Sequence, residues 1–231
     1  MKRMIQNLVS GFYRFLYKCA GGENRPVFYD VDKIAPALRD LERNYPVIRA
    51  ELVQVLQSNR NLPTYHELDP SQRGISAGGT KKWKVFLLYA MGAKPAANRA
   101  LCPQTSALLD KIPDLFEAFF SILEPGKSVP AHHNNYYGML RYHLGIVVPK
   151  ENPPSIRVKD QIYTWKEGEG VLFDDCWEHE VYNQSNGERV VLLVDVLRPL
   201  PLPAHMLNLL FVQVMRVGYA SGVLKNLEQF H

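Results

Sequence analysis

"GMLRYHLGIVVP", Gly138 to Pro149, decides how the second half of this chain is read. Side chains alternate along a strand, so Leu140, Tyr142, Leu144 and Ile146 make one plainly apolar face. Met139, Arg141, His143 and Gly145 take the other. The same texture recurs around it. "AFFSILEPG", "SIRVKDQIYTW", "EGVLFDD", "HEVYNQ" and "RVVLLVDVLRP" are short β-rich runs separated by turn residues. From Phe119 onward that spacing predicts an antiparallel sandwich or barrel.

Upstream the pattern differs. "KWKVFLLYAMG" reads as a strand stopped by glycine and "CPQTSALLDKI" as a short helix. A helix is expected over roughly 34–57, with Pro46 kinking it or dividing it in two. Residues 1–20 give a clean amphipathic helix, with Met4, Ile5, Leu8, Phe12, Phe15 and Leu16 on one face and Arg3, Arg14 and Lys18 opposite. The last thirty residues are helical in texture but apolar nearly all round, as expected of a helix that is buried or lies against something apolar. The chain therefore divides into an N-terminal helix (1–25), a helix-and-strand lead-in (26–118), a β core (119–200) and a C-terminal apolar helix (201–231).

With 231 residues, 46% hydrophobic and 22% charged, the chain can bury a full core and is not globally disordered. The net charge of +4 is contributed entirely by the first 25 residues, so the body is neutral. A basic terminus on a neutral body argues against general nucleic-acid binding and for an anionic surface nearby. No uninterrupted apolar run reaches the roughly 18 residues of a membrane span, and no secretory signal is evident. Cys19, Cys102 and Cys176 form no paired framework, which suits a reducing, cytoplasmic setting.

The polar residues need an explanation. Arginine is rarely buried without an anion, yet Arg141 sits with His143 on a strand face, and Arg189 shares one with Val191, Leu193 and Asp195. A bound dicarboxylate would account for them, and so would a solvent-facing side of the sheet. His132, just before one strand run, and His179, at the start of another, suit a non-haem iron centre with open positions, although either histidine alone could be structural.

Taken together, "SILEPGKSVPAH", "LRYHLGIVVP", "WKEGEGVLFDDCWEHEVYN" and "RVVLLVDVLRP" resemble the aspartyl/asparaginyl β-hydroxylase family, and within it the bacterial branch that includes lipid A acyl-chain hydroxylases. The resemblance implies a mainly β fold with flanking helices: a double-stranded β-helix, the cupin-like jelly roll. It implies Fe(II), with His132 and His179 as ligands, and 2-oxoglutarate and O2 as cosubstrates. Arg189 and Ser121 would hold the distal carboxylate of 2-oxoglutarate, and Arg141 and His143 would help to place it. His133 is out of register with the family's ligand. Asn134 stands where the family usually has glycine, so no third carboxylate ligand is expected. Asp174 and Asp175 match a supporting segment, and Trp165 and Trp177 read as core or pocket wall. The implied reaction is hydroxylation of an unactivated carbon, with a lipid A-like acyl chain as the expected substrate. Asp or Asn side chains of a protein, or a non-catalytic binding module on the same scaffold, are the alternatives. The terminal helices suit peripheral contact with the inner face of a membrane.

Overall fold

The computed structural model describes residues 2–58 and 60–230. Its strands are β1 (Phe28–Tyr29), β2 (Trp83–Ala90), β3 (Leu115–Leu123), β4 (Val129–His132), β5 (Met139–Val147), β6 (Ser155–Val158), β7 (Gln161–Thr164), β8 (Gly170–Phe173), β9 (His179–Tyr182) and β10 (Arg189–Leu197). They form a larger antiparallel sheet, β1-β8-β5-β10-β3-β2, and a smaller one, β4-β9-β6-β7. This is the expected jelly roll with flanking helices. "SIRVKDQIYTW" is the β6–β7 hairpin. The larger sheet also recruits β1 and β2 from the 26–118 segment.

The helices are α1 (Lys2–Cys19), α2 (Val31–Ile34), α3 (Arg39–Arg43), α4 (Tyr45–Gln57), α5 (Tyr65–Leu68), α6 (Arg73–Ser76), α7 (Ala96–Leu101), α8 (Pro103–Leu109) and α9 (Leu202–Leu227). The helix expected over 34–57 is indeed divided. Asn44 leaves helical geometry and Pro46 opens α4, where its missing N–H costs no hydrogen bond. The apolar face of β5, Leu140 through Ile146, packs under Leu41, Ile48 and Leu52 of α3 and α4. The opposite face looks inward, where Phe119, Val191 and Leu193 meet Ile156, Val158 and Val181 of the smaller sheet. Arg141, His143 and Arg189 therefore belong to the inner, buried layer, and the solvent-facing alternative does not hold.

Two arginines tie the entry of the chain to this layer. Arg25 lies 2.8 Å and Arg198 2.9 Å from the fully buried Asp174, and Arg25 stacks on Trp177 with 3.7 Å to the ring centre. Burial of this carboxylate is tolerated because it is paired twice.

The terminal helices meet each other. Phe12 of α1 packs on Phe211 of α9 with ring centres 4.7 Å apart, and Leu16 is fully buried. Leu8 (66% exposed) and Phe15 (39%) stay outside. The stripe expected to face lipid as one surface is thus divided, because its C-terminal half is used to dock the helix on the chain's own core. The side chains of Met4 and Ile5 lie outside the described residues. On α9, Asn208 is fully buried, accepts from the Tyr136 hydroxyl and donates to the Gly138 carbonyl at 2.8 Å. A Cβ on Gly138 would lie 2.3 Å from the Asn208 side chain, so glycine is needed for α9 to approach the start of β5. The outward face of α9 remains apolar, with Leu202, Met206, Leu210 and Val214 all more than half exposed. No helix among the described residues is long and apolar enough to cross a membrane.

Candidate active site

Pairing of β4 with β9 sets His132 directly opposite His179, and their rings lie 4.2 Å apart, centre to centre. His132 Nδ1 is 2.8 Å from the Pro130 carbonyl and His179 Nδ1 is 2.9 Å from that of Trp177. A carbonyl can only accept, so each Nδ1 carries the proton and each Nε2 is left with its lone pair. That is how metal-binding imidazoles are oriented. Burial favours the neutral rings further. It lowers the proton affinity of His132, and burial with the neighbouring His132 pushes His179 down to about 4. Both rings line a cavity of about 140 Å³.

His133 is exposed on the same rim. Asn134 is spoken for. Its Oδ1 accepts from the Tyr136 N–H at 3.1 Å and its Nδ2 reaches Asp175 at 3.2 Å. Asp175 is fully buried, with Oδ1 free of any hydrogen bond, and is close enough to both histidines to favour their protonated forms. Asp174, Asp175 and Cys176 lie close enough together to suggest a metal cluster, but Asp174 is already matched by two arginines.

Behind the histidines the sheet buries a cation. Arg189 is 2% exposed, and no carboxylate among the described residues pairs with it. Nη1 makes two long contacts of 3.4 Å to Ser121, the guanidinium stacks 4.6 Å from the Trp165 ring centre, and Nε has no partner. Burial alone pushes its proton affinity down to about 9. Next to it, both nitrogens of His143 and the indole N–H of Trp165 are buried without partners. Burial first, then the charges of Arg189 and Arg141, holds His143 neutral. Orphaned buried donors of this kind are rare and call for a ligand. Ser121 is fixed by the Trp83 indole N–H at 2.9 Å.

Arg141 is differently placed. It lines the histidine cavity, but its guanidinium donates to both oxygens of Asp195 at 2.8 and 2.7 Å and lies 3.3 Å from Asp175. Burial opposes its charge, and the two carboxylates more than offset that.

A profile of the aspartyl/asparaginyl β-hydroxylases matches residues 42–199. The chain belongs to the aspartyl/asparaginyl β-hydroxylase family. It is 42% identical over 209 residues to an ornithine lipid ester-linked acyl 2-hydroxylase of Rhizobium tropici, covering 90% of this chain and 73% of that one. It is 30% identical over 199 residues to the human aspartyl/asparaginyl β-hydroxylase, covering 84% of this chain but 25% of the human protein. Among solved structures it is similar to a cupin 2 conserved barrel protein from Salinispora arenicola, with TM-score 0.35 and 9% identity over 66% of this chain and 89% of that one.

In this hydroxylase, then, the strands bring His132 to His179 and Arg189 to Ser121, with His143 nearby. The indole of Trp165, read from sequence as core or wall, is one of the orphaned donors. Glu117, buried on β3 across from Asp195, was not singled out at all. A lone carboxylate inside "LFEAFFSIL" was the available signal.

Proposed function

We propose that this chain is an Fe(II)- and 2-oxoglutarate-dependent hydroxylase acting on an acyl chain of a membrane lipid. The observation that carries the reading is Arg189, a buried guanidinium without a counter-ion, standing behind two histidines whose Nε2 atoms are free. The donor set fits both groups. Two neutral imidazoles with a buried carboxylate nearby suit a divalent iron with open positions, and an orphaned cation beside Ser121, His143 and Trp165 suits a dicarboxylate. When bound, Fe(II) and 2-oxoglutarate supply O2 activation, with succinate and CO2 formed and one oxygen atom inserted into a C–H bond.

The chain's own residues supply placement. Pro130 and Trp177 carbonyls lock the two imidazoles in the metal-binding tautomer. Arg189 and Ser121 receive the distal carboxylate of the cosubstrate, and His143, held neutral, borders it without adding charge. Asp175 keeps Oδ1 free near the histidines, where it would accept a hydrogen bond from a donor held in the site. Close packing of Trp165 and Phe119 keeps bulk water from the inner layer.

Three observations support a lipid substrate. The Rhizobium relative is by name an acyl hydroxylase. A second cavity, walled in part by Phe211, Val212 and Met215 of α9, adjoins the histidine cavity. The outward face of α9 is apolar, while α1 exposes Arg14 and Lys18, which suits docking on an anionic bilayer. A peptide Asp side chain, by contrast, finds no free cation at the mouth, because Arg141 is held by Asp195 and Asp175. The test is conversion of 2-oxoglutarate to succinate by purified protein with added Fe(II), together with lipid and protein mass after expression in a bacterium. One added oxygen on a lipid is expected. Added oxygen on protein alone refutes the lipid reading, and no metal-dependent succinate refutes the oxygenase reading.

A further inference from the structure

On the inner face of the larger sheet, β3, β10 and β5 align their side chains in cross-strand rows. One row is Phe119, Leu193 and His143; the next is Glu117, Asp195 and Arg141. In that second row the charges do not balance. Arg141 gives two bonds to Asp195 and a third contact to Asp175, so one guanidinium serves two carboxylates. Glu117 stands directly opposite Asp195, is 7% exposed, and makes no hydrogen bond or ion pair among the described residues. Like charges set opposite one another across strands are destabilising, and an unpaired buried carboxylate more so.

Glu117 opens onto a cavity of about 330 Å³. Tyr65, Gln72, Asn134 and Arg141 line both it and the histidine cavity, so the two adjoin. Its other walls are mixed, with Asp69, Ser71 and Gln72 on one side, Phe116 and Met139 on the sheet side and Tyr13, Phe211 and Met215 on α1 and α9. The space thus sets one unpaired carboxyl group, that of Glu117, beside the apolar side chains that α1 and α9 contribute.

We propose that Glu117 is the counter-ion for a protonated amine on the substrate, whose alkyl part lies against Phe211 and Met215. This rests on the lipid-hydroxylase reading and narrows it to lipids whose head group carries an ammonium near the acyl chain. In the empty pocket, burial first and then Asp195 keep the Glu117 proton on up to about 8. The groups facing it from neighbouring elements are Tyr65, Asp69, Arg141 and Asp195. Of these, Tyr65 is held neutral by burial, and Asp195 is bound by Arg141, which stays charged. Asp69 accepts from Ser71 at 2.9 Å. An arriving ammonium makes Glu117 ionise, and its proton passes to the buffer.

Calorimetric titration of the full-length protein with decylammonium and with decanol tests this directly, since the two probes differ only in the head group. The wild type should prefer decylammonium by at least about tenfold, a difference typical of one charge-assisted pair. With Glu117 titrating near 8, about 0.9 proton should be released per amine bound at pH 7, and affinity should rise about fivefold from pH 7 to pH 8. Glu117→Gln should abolish the preference and the proton release, while Glu117→Asp should keep part of both; circular dichroism of each variant confirms folding. Equal binding of the two probes by the wild type overturns the proposal without involving any variant, as does proton release that survives in a folded Gln variant. Iron-dependent succinate formation by the wild type, measured in parallel, separates the two levels. If it is present and the amine preference absent, only Glu117's role fails. If it is absent, the oxygenase reading fails first.

Discussion

Replacing Arg189 by methionine separates a cosubstrate-binding arginine from a structural one. Burial pushes the proton affinity of Arg189 down to about 9, so the folded state holds roughly 5 kcal/mol against the charge, an order-of-magnitude figure. Two long contacts to Ser121 and a stack on Trp165 return only part of that. An unbranched thioether fills much of the same space with no charge to desolvate. The ligand-free Arg189→Met protein should therefore melt no lower than the wild type, unlike most substitutions at a fully buried site.

With ligand the order reverses. Removing one partner of a buried charge pair costs roughly 2–5 kcal/mol, so the Kd for 2-oxoglutarate should rise between about thirtyfold and several thousandfold. The assay is thermal denaturation with Mn(II) in place of Fe(II), which blocks turnover, at a range of 2-oxoglutarate concentrations. At about 100 times Kd, ligand stabilises the native state by about 2.7 kcal/mol. That is a rise of roughly 5–11 °C in a domain of this size. The wild type should show it and Arg189→Met should not. A variant that melts many degrees lower without ligand, yet keeps its 2-oxoglutarate shift, would show that Arg189 is structural and that the dicarboxylate site lies elsewhere.

Other expectations follow from the same geometry. His132→Ala and His179→Ala should each abolish Fe(II)-dependent succinate formation while His133→Ala, on the exposed rim, keeps most of it; the opposite pattern moves the metal by one residue. Asn134→Gly should retain activity and lose about 2 kcal/mol in denaturant unfolding, the worth of its two side-chain hydrogen bonds; lost metal binding in that variant makes the amide a ligand. Glu117, raised by burial from 4.5 to about 8, contributes stability fully present below pH 4.5 and lost as pH rises through 8. Urea titrations should therefore show Glu117→Gln gaining on the wild type by several kcal/mol between pH 5 and pH 9; parallel pH profiles refute the assignment. The protein should float with anionic vesicles, less so at high salt. Leu210→Glu with Val214→Glu should weaken flotation without lowering the melting temperature, and unchanged flotation removes α9 from the contact.

What the sequence disclosed, and what it withheld, has a physical pattern. Period-two alternation in β5 and β10 was enough to put Arg141, His143 and Arg189 on the faces they occupy, because each strand is long and its other face uniformly apolar. β4 escaped notice because "VPAH" is four residues long and contains proline. Alternation assigns a face but not a neighbour. That Asp195 claims Arg141 depends on β5 and β10 being adjacent in register, a long-range pairing invisible within either segment. The terminal helices show the same limit. The periodicity of α1 cannot say that Leu16 is buried while Phe15, one residue away, is half out. In α9 an apolar surface all round hides which side meets the core, and the deciding residue is polar: buried Asn208, bonded to Tyr136 and Gly138.

The two cavities also divide along the chain. Arg189, Ser121, His143 and the histidine pair all fall inside residues 42–199, the stretch shared with the family as a whole, and all stand on strands. Strands of a closed double sheet hold side chains rigidly, as binding of the proposed cosubstrate would require. The amine-and-alkyl cleft is built differently. One wall is the Glu117–Asp195–Arg141 row, but the facing wall is Tyr13, Phe211, Val212 and Met215, which lie outside that shared stretch. These helices pack on the barrel through Leu16, Ala204, Val223 and Leu227, through aromatic contacts and through buried Asn208, and their cleft-facing side chains lie apart from the strands that carry His132 and His179. A scaffold arranged this way keeps one oxidative apparatus and varies what is presented to it. The outer face of α9 is an exposed apolar surface, and its inner face walls the cleft. On the proposed reading, membrane docking and substrate selection would therefore fall to the two sides of one helix.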